Sequence, residues 1–269
     1  MNAVINDIEA KHRALWALGD YAAIASQVVA PLGPALAHAC GIAPHHRVLD
    51  VAAGTGNAAI PAAATGASVV ASDLCPELLR QGRARGAEHG VTVDWREANA
   101  EALPFADDEF DVVMSCIGVM FAPHHQSSAD EMIRVCRPGG RIGVLSWTPE
   151  GFIGQLFATM KPYVPAPPPG VSAPPLWGSE PYVRTLFGDA VIDVATERSG
   201  LPVRAFADGA AFRDYFKANY GPTIAAYQGI AGDPDRVAAL DVDIAALGDR
   251  FLQGGAMDWE YLLVTARKR

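Results

Sequence analysis

Short apolar runs at 47–52 ("RVLDVA"), 68–73 ("SVVASD"), 92–98 ("TVDWREA"), 110–116 ("FDVVMSC") and 141–147 ("RIGVLSW") punctuate the middle of the chain. Between them, around 57–65, 76–89 and 128–137, apolar residues return every three or four positions. The first pattern predicts buried strands and the second predicts helices that cover them. Alternation at this pitch predicts right-handed βαβ units and a parallel sheet covered on both faces. The helix over 128–137 carries marks at both ends: Ser128 and Glu131 form a capping-box pair, and Pro138-Gly139-Gly140 stops it. Upstream, residues 7–40 read as helices, with Asp20 capping "YAAIASQVV", where Tyr21, Ile24 and Val28 recur at helical spacing.

After Trp147 the pattern breaks. Seven of the twenty prolines fall within 161–175, "KPYVPAPPPGVSAPP", which predicts neither helix nor central strand but a rigid connection over the top of the domain. Helices follow at about 209–220 and 234–252, and strands at 190–195, 202–207 and 259–266. The expected organisation is an N-terminal helical flap (1–46), a nucleotide-binding core (47–148), a Pro-rich cap or linker (149–189), and a remainder of the same domain (190–269) with the last strands and substrate-side helices.

Composition narrows the partners. A net charge of −9 argues against nucleic acid, whose phosphates call for clustered Lys and Arg. No run approaches the ~18 apolar residues of a membrane span, and "MNAVINDIEAKHRALW" has no signal-peptide core. Four scattered cysteines without a C-x-x-C fit reduced thiols rather than a zinc site. The expectation is a soluble cytoplasmic protein with no metal.

The first strand leads into Gly54-Thr55-Gly56-Asn57-Ala58-Ala59, a match to G-x-G-x-x-G/A. Such a turn lets backbone approach a ligand and presents free N–H groups from the next helix. Asp73 ends the second strand 19 residues after Gly54, where a carboxylate accepts ribose hydroxyls. Nicotinamide and S-adenosylmethionine sites share both features. Asp50, at the loop entrance, repels a pyrophosphate and attracts an ammonium group. Asn99, in "ANAEALPF" (98–105), can bond an adenine edge.

With "FDVVMS" and "RVCRPGG" (134–140) added, residues 47–148 resemble the class I S-adenosylmethionine-dependent methyltransferases, of the small-molecule group with a "VLDVGCGTG … D … GDAEALPF … FD … RVLKPGG" signature. The resemblance implies a Rossmann-like α/β three-layer sandwich with a seven-stranded, mostly parallel sheet of order 3-2-1-4-5-7-6. It implies S-adenosyl-L-methionine as cofactor, held by Asp50, Ala52, Gly54, Gly56, Asp73, Leu74, Asn99 and Ala100. Ala52 replaces the family's first glycine, which demands an unstrained backbone there. Asn99 replaces the usual aspartate, keeping an acceptor oxygen without the charge.

Methyl transfer from a sulfonium needs alignment more than acid–base power, though a high-pKa acceptor also needs a base. His124 and His125, in "MFAPHHQSS" just past the fourth strand, are the candidates for that base or else a polar loop pair; His12 and His45-His46 are weaker ones. Cys116 reads as a small residue beside the cofactor. Trp16 and Tyr21 read as a helical flap, with the Tyr21 hydroxyl in reach of the methionine carboxylate. Thirteen of the 22 aromatic residues lie in 147–227, which favours an apolar or aromatic small-molecule substrate if they do not simply fill the cap's own core. "SCIG" after the fourth strand, in place of Asn-Pro-Pro-Tyr, speaks against methylation of nucleic-acid bases. The rival readings are an NAD(P)-dependent oxidoreductase and a non-catalytic cofactor-binding domain. The cap either closes over substrate or builds a homodimer.

Overall fold

A computed structural model describes residues 2–269, with side chains described from Glu9 onward. Three helices, α1 (Asn2–Trp16), α2 (Tyr21–Gln27) and α3 (Leu32–Ala39), precede an alternating core of β1 (Arg47–Val51), α4 (Ala59–Ala64), β2 (Ser68–Asp73), α5 (Pro76–Glu88), β3 (Asp94–Glu97), β4 (Phe110–Cys116), α6 (His125–Val135) and β5 (Cys136–Trp147). Two cap helices follow, α7 (Phe152–Met160) and α8 (Glu180–Phe187), then β6 (Val191–Val203). The chain ends in α9 (Gly209–Asn219), α10 (Gly221–Gly229), α11 (Pro234–Phe251), β7 (Leu252–Gln253) and β8 (Ala256–Lys268).

The strands form one sheet in the order β3-β2-β1-β4-β5-β8-β6, with β7 a short extra strand on β8. The first five are parallel; β8 runs antiparallel to both β5 and β6. This is the expected seven-strand path with one short strand added. Central strands read as near-continuous apolar runs because helices cover both faces: β1 is buried from Val48 to Val51. The edge strand β6 alternates instead, and its half-exposed middle, "TERSG", is polar. That polar middle makes one strand look like two in the sequence, at 190–195 and 202–207.

The end markings of α6 are corrected. The helix begins at His125, not near 128, and Ser128 lies inside it with a buried, unpartnered hydroxyl. Glu131 caps nothing: it accepts from the Leu103 amide (2.6 Å) and pairs with Arg134. Strand β5 already begins at Cys136, ahead of the Pro-Gly-Gly.

The proline run is a loop between short 3₁₀ turns at 161–163 and 174–178. It crosses the loop before α6, where the Ser172 amide donates to the Pro123 carbonyl (2.9 Å). Behind it, Phe152, Phe212, Phe216 and Trp259 pack ring on ring between α7, α9 and β8, so part of the aromatic surplus does form the cap's own core. Asp20 caps α2 as expected, accepting from the Ala23 amide (2.9 Å).

Candidate active site

Neighbours β2 and β4 flank β1 on opposite sides, and their connections leave in opposite directions. A crevice opens at the carboxyl ends of the strands at such a point. There lies a cleft spanning about 680 Å³, part of it open to solvent. Ala52, Gly54 and Gly118 line it from the ends of β1 and β4. Asp73 and Leu74 enter from β2, Leu78 from α5, and Ala98, Asn99 and Ala100 from beyond β3. His12, Trp16 and Tyr21 face it from the N-terminal helices, and Phe121, Ala122 and Pro123 from the loop before α6.

The turn after β1 is held open by its backbone. Ala52, Gly54 and Gly56 all have positive φ, at 53°, 56° and 83°. The expectation of an unstrained Ala52 is therefore corrected: its side chain stands in left-handed backbone, which costs about 1–2 kcal/mol. The residue is pinned there because a Cβ on Gly118 would collide with the Ala52 carbonyl, so the two loop ends touch. Asp73 fastens the loop, with Oδ2 accepting from the Gly54 amide (2.7 Å) and Oδ1 from the Cys75 amide (2.8 Å).

Asp50 lies within the sheet and does not line the cavity. It is 1% exposed, and neither carboxylate oxygen has a hydrogen-bond partner. Burial pushes its pKa up to about 8; the Ala59 amide, near the carboxylate without completing a hydrogen bond, opposes this, and the nearby Asp73 charge adds to it. Burial also raises Asp73, against the pull of the Cys75, Gly54 and Leu74 amides.

Asn99 uses its side-chain oxygen on the Glu101 amide (2.9 Å), so its free NH₂ group is the part that can face a ligand. The loop it sits on is clamped by Arg134, which donates to the carbonyls of Leu103 (2.9 Å) and Phe105 (2.8 Å).

Seven of the residues singled out from the sequence do not line the cavity: Asp50, Gly56, Cys116, His124, His125 and the weaker candidates His45 and His46. Gly56 turns its back on it, packed against Trp95. The Cys116 thiol is held protonated by burial and by Asp50. The His pair is corrected as a candidate base. His125 is 1% exposed, with Nε2 on the Met120 carbonyl (3.0 Å) and Nδ1 on the Tyr182 hydroxyl (3.1 Å). A carbonyl only accepts, so Nε2 carries the proton and Nδ1 accepts from Tyr182. Burial lowers its pKa to about 4, and the neutral ring joins the loop to the cap. His124 turns to Glu101, which takes both its amide (2.6 Å) and its Nδ1 (3.0 Å). Adjacency in sequence hid this, because helix geometry sends consecutive side chains in different directions.

His12 lines the cavity instead, one helical turn from Trp16, with burial lowering its pKa. Leu78, Ala98, Gly118, Phe121, Ala122 and Pro123 also line it. Of these, only Gly118 could have been found beforehand, as a small residue two positions after the fourth strand. Among the described residues, no group of His, Cys, Asp or Glu is arranged to hold a metal ion, and no single helix is long and apolar enough to cross a membrane.

A sheet of this order, with a positive-φ loop after β1 and an acid closing β2, is the Rossmann-like fold of methyltransferases. Residues 48–140 match the methyltransferase domain family. Over 262 residues, 97% of this chain and 96% of the relative, the sequence is 56% identical to the uncharacterized protein Rv1405c of Mycobacterium tuberculosis. It is 57% identical to Rv1403c of the same organism over 257 residues, 96% and 94% of the two chains. The crystal structure of the YcgJ protein of Bacillus subtilis shares the fold, with a TM-score of 0.60 at 19% identity over 88% of this chain and 98% of that one. The chain belongs to one family with these mycobacterial proteins and is a class I S-adenosylmethionine-dependent methyltransferase. Its cofactor is S-adenosyl-L-methionine.

Proposed function

We propose that the protein methylates a small apolar or aromatic molecule. The observation that carries this reading is the aromatic wall on the cavity, where Trp16 stands edge-on to Phe121 (4.6 Å) and to Tyr21 (5.6 Å). A highly charged acceptor would lose its hydration against that wall without repayment.

The residues present suit the cofactor. Each Asp73 oxygen accepts one amide and keeps a lone pair for a ribose hydroxyl. Leu74, Leu78 and Ala98 offer an apolar slot for adenine, with the Asn99 NH₂ group and the Ala100 backbone at its edge. Ala52, Gly54 and Gly118 allow the methionine chain to lie close to backbone. Asp50, buried in β1 ahead of the loop, adds only a pull at a distance on an ammonium group, which in turn favours its ionised form. Tyr21 stays protonated because burial raises its pKa, so its hydroxyl donates to a carboxylate.

Bound there, the cofactor supplies a methyl on a cationic sulfur, which the acceptor's lone pair displaces in line as the carbon–sulfur bond breaks. The protein's part is alignment and exclusion of water. Where the acceptor atom carries a proton, His12 or water takes it, since burial keeps that imidazole neutral. We place the reaction in the cytoplasm, where four unpaired cysteines stay reduced.

The test is transfer of a labelled methyl from S-adenosylmethionine into a panel of neutral ring compounds, charged metabolites, RNA and protein. Label in solvent-extractable neutral products supports the reading; label confined to the charged or polymeric fractions overturns it.

A further inference from the structure

Helix α11 (Pro234–Phe251) is apolar on two faces at once. One face, with Leu240, Ile244, Leu247 and Gly248, is buried against α9, α7 and β8. The other carries Ala238, Ala239, Val242 and Ala246 at helical spacing, and all four are exposed. A surface helix normally turns polar and charged residues to water, and a helix that is apolar all round is normally covered all round.

Val242 is 66% exposed, and with Val164 at 39% it completes the exposed large hydrophobic residues among those described. The two belong to one region. Val164 lies on the proline-run loop, which is tied along the flank of α11 by the Tyr163 hydroxyl on Asp243 (2.5 Å) and by Arg236 donating to the Pro162 carbonyl (3.0 Å). Exposed apolar side chains scattered singly need no explanation, but two on adjoining elements beside an open apolar helix face mark a contact surface.

The charges at the two ends of that face complement each other. Asp235 and Arg250 make no ion pair among the described residues; Arg250 rests over the Phe251 ring (5.3 Å). The other carboxylates there are engaged within the chain, Asp249 by the Gly209 amide (2.7 Å) and Asp243 by Tyr163. Asp235 stands seven residues before Val242 and Arg250 eight after it, which places each about 10 to 12 Å along the helix axis from that residue. An identical helix packed antiparallel across this face, with Val242 near the two-fold axis, brings Asp235 of each chain against Arg250 of the other. A parallel partner would set like charges together. The face is thus self-complementary, as an isologous interface requires. None of its residues lines the cofactor cleft, which is complete in one copy.

We propose that the exposed face of α11, flanked by the proline-run loop, is the two-fold interface of a homodimer, with Val242 packed on Val242 of the second copy and two Asp235–Arg250 ion pairs closing its ends.

The experiment is sedimentation equilibrium of the full-length protein from about 1 to 100 µM. It compares the wild type with Val242→Glu, Asp235→Arg, Arg250→Asp and the double reversal D235R/R250D. The wild type is expected to be a dimer at the upper concentrations. Val242→Glu buries a charge at the axis, and each single reversal sets like charges together twice, so each should raise the dissociation constant at least about tenfold. The double reversal restores both pairs with their signs exchanged and should regain most of the wild-type affinity. That recovery separates lost pairing from a folding defect, since the double variant carries both changes. A wild type that stays monomeric throughout overturns the proposal. A dimer that Val242→Glu and both single reversals leave intact overturns it too, as does a double reversal no stronger than the singles. No cofactor or acceptor enters the measurement, so its outcome is independent of the methyltransferase reading.

Discussion

Asp50 is buried on β1 between two neighbouring strands, where a charge is costly, and neither of its oxygens completes a hydrogen bond. Its folded pKa, about 8, stands far above the ordinary carboxylate value. An acid shifted upward holds its proton in the folded state over a range where the unfolded chain has lost it. Its contribution is therefore fully present below about pH 4 and is lost as pH rises through about 8. Without cofactor, thermal stability should fall from pH 5 to pH 8.5, and Asp50→Asn should flatten that fall. Melting curves across that range check it; parallel slopes for the two proteins would contradict the assignment. On the proposed reading, an ammonium group bound in the cavity favours the ionised form of Asp50 from a distance. Sequence reasoning could read this attraction from the residue type, but not that Asp50 is buried within the sheet rather than standing on the cavity rim. The His124–His125 pair misled for the same reason, since only packing shows that both rings are already engaged.

The link between α6 and the 99–107 loop belongs to the scale of elements. Arg134 donates to two loop carbonyls and is held by Glu131 (2.7 Å) and Asp107 (2.8 Å). It thus joins two sequence motifs 30 residues apart, "ALPF" and "RVCRPGG". Arg134→Met should free both carbonyls and loosen Asn99 and Ala100. An affinity loss for S-adenosylhomocysteine of about tenfold is expected, on the scale of a lost charged hydrogen bond or two. Calorimetry of the variant checks it, and unchanged affinity would mean that the loop holds itself. Core elements such as β1, β2, β4 and α5 were legible because each is a short, uniformly patterned unit between turn signals. The cap was not: α7 and α8 lie on either side of a proline run that hides their periodicity, and the polar middle of β6 masks a continuous strand. Glu131 and Ser128 fit a capping pattern at the right spacing, yet Glu131 found a better partner in the Leu103 amide.

Over the whole molecule, the sheet order follows from alternating helices and strands, and it fixes where the crevice lies. What no local pattern reveals is how distant segments close that crevice. Trp16 from α1, Phe121 from the loop before α6 and Tyr220 from the α9–α10 corner meet within 6.2 Å ring to ring at Trp16. Such contacts depend on the tertiary path, so the aromatic richness of 147–227 could suggest an apolar acceptor without showing which rings face it. The central claim is that this crevice is an S-adenosylmethionine site fastened by Asp73. Its most direct test is titration of the purified protein with S-adenosylhomocysteine, NADH and NADPH, repeated with Asp73→Asn and with a melting curve as fold control. The account predicts saturable binding of S-adenosylhomocysteine alone, weakened at least about tenfold in the variant by the loss of charged hydrogen bonds to the ribose and to Gly54. Binding of a nicotinamide cofactor, or full affinity for S-adenosylhomocysteine in a folded Asp73→Asn protein, would contradict it.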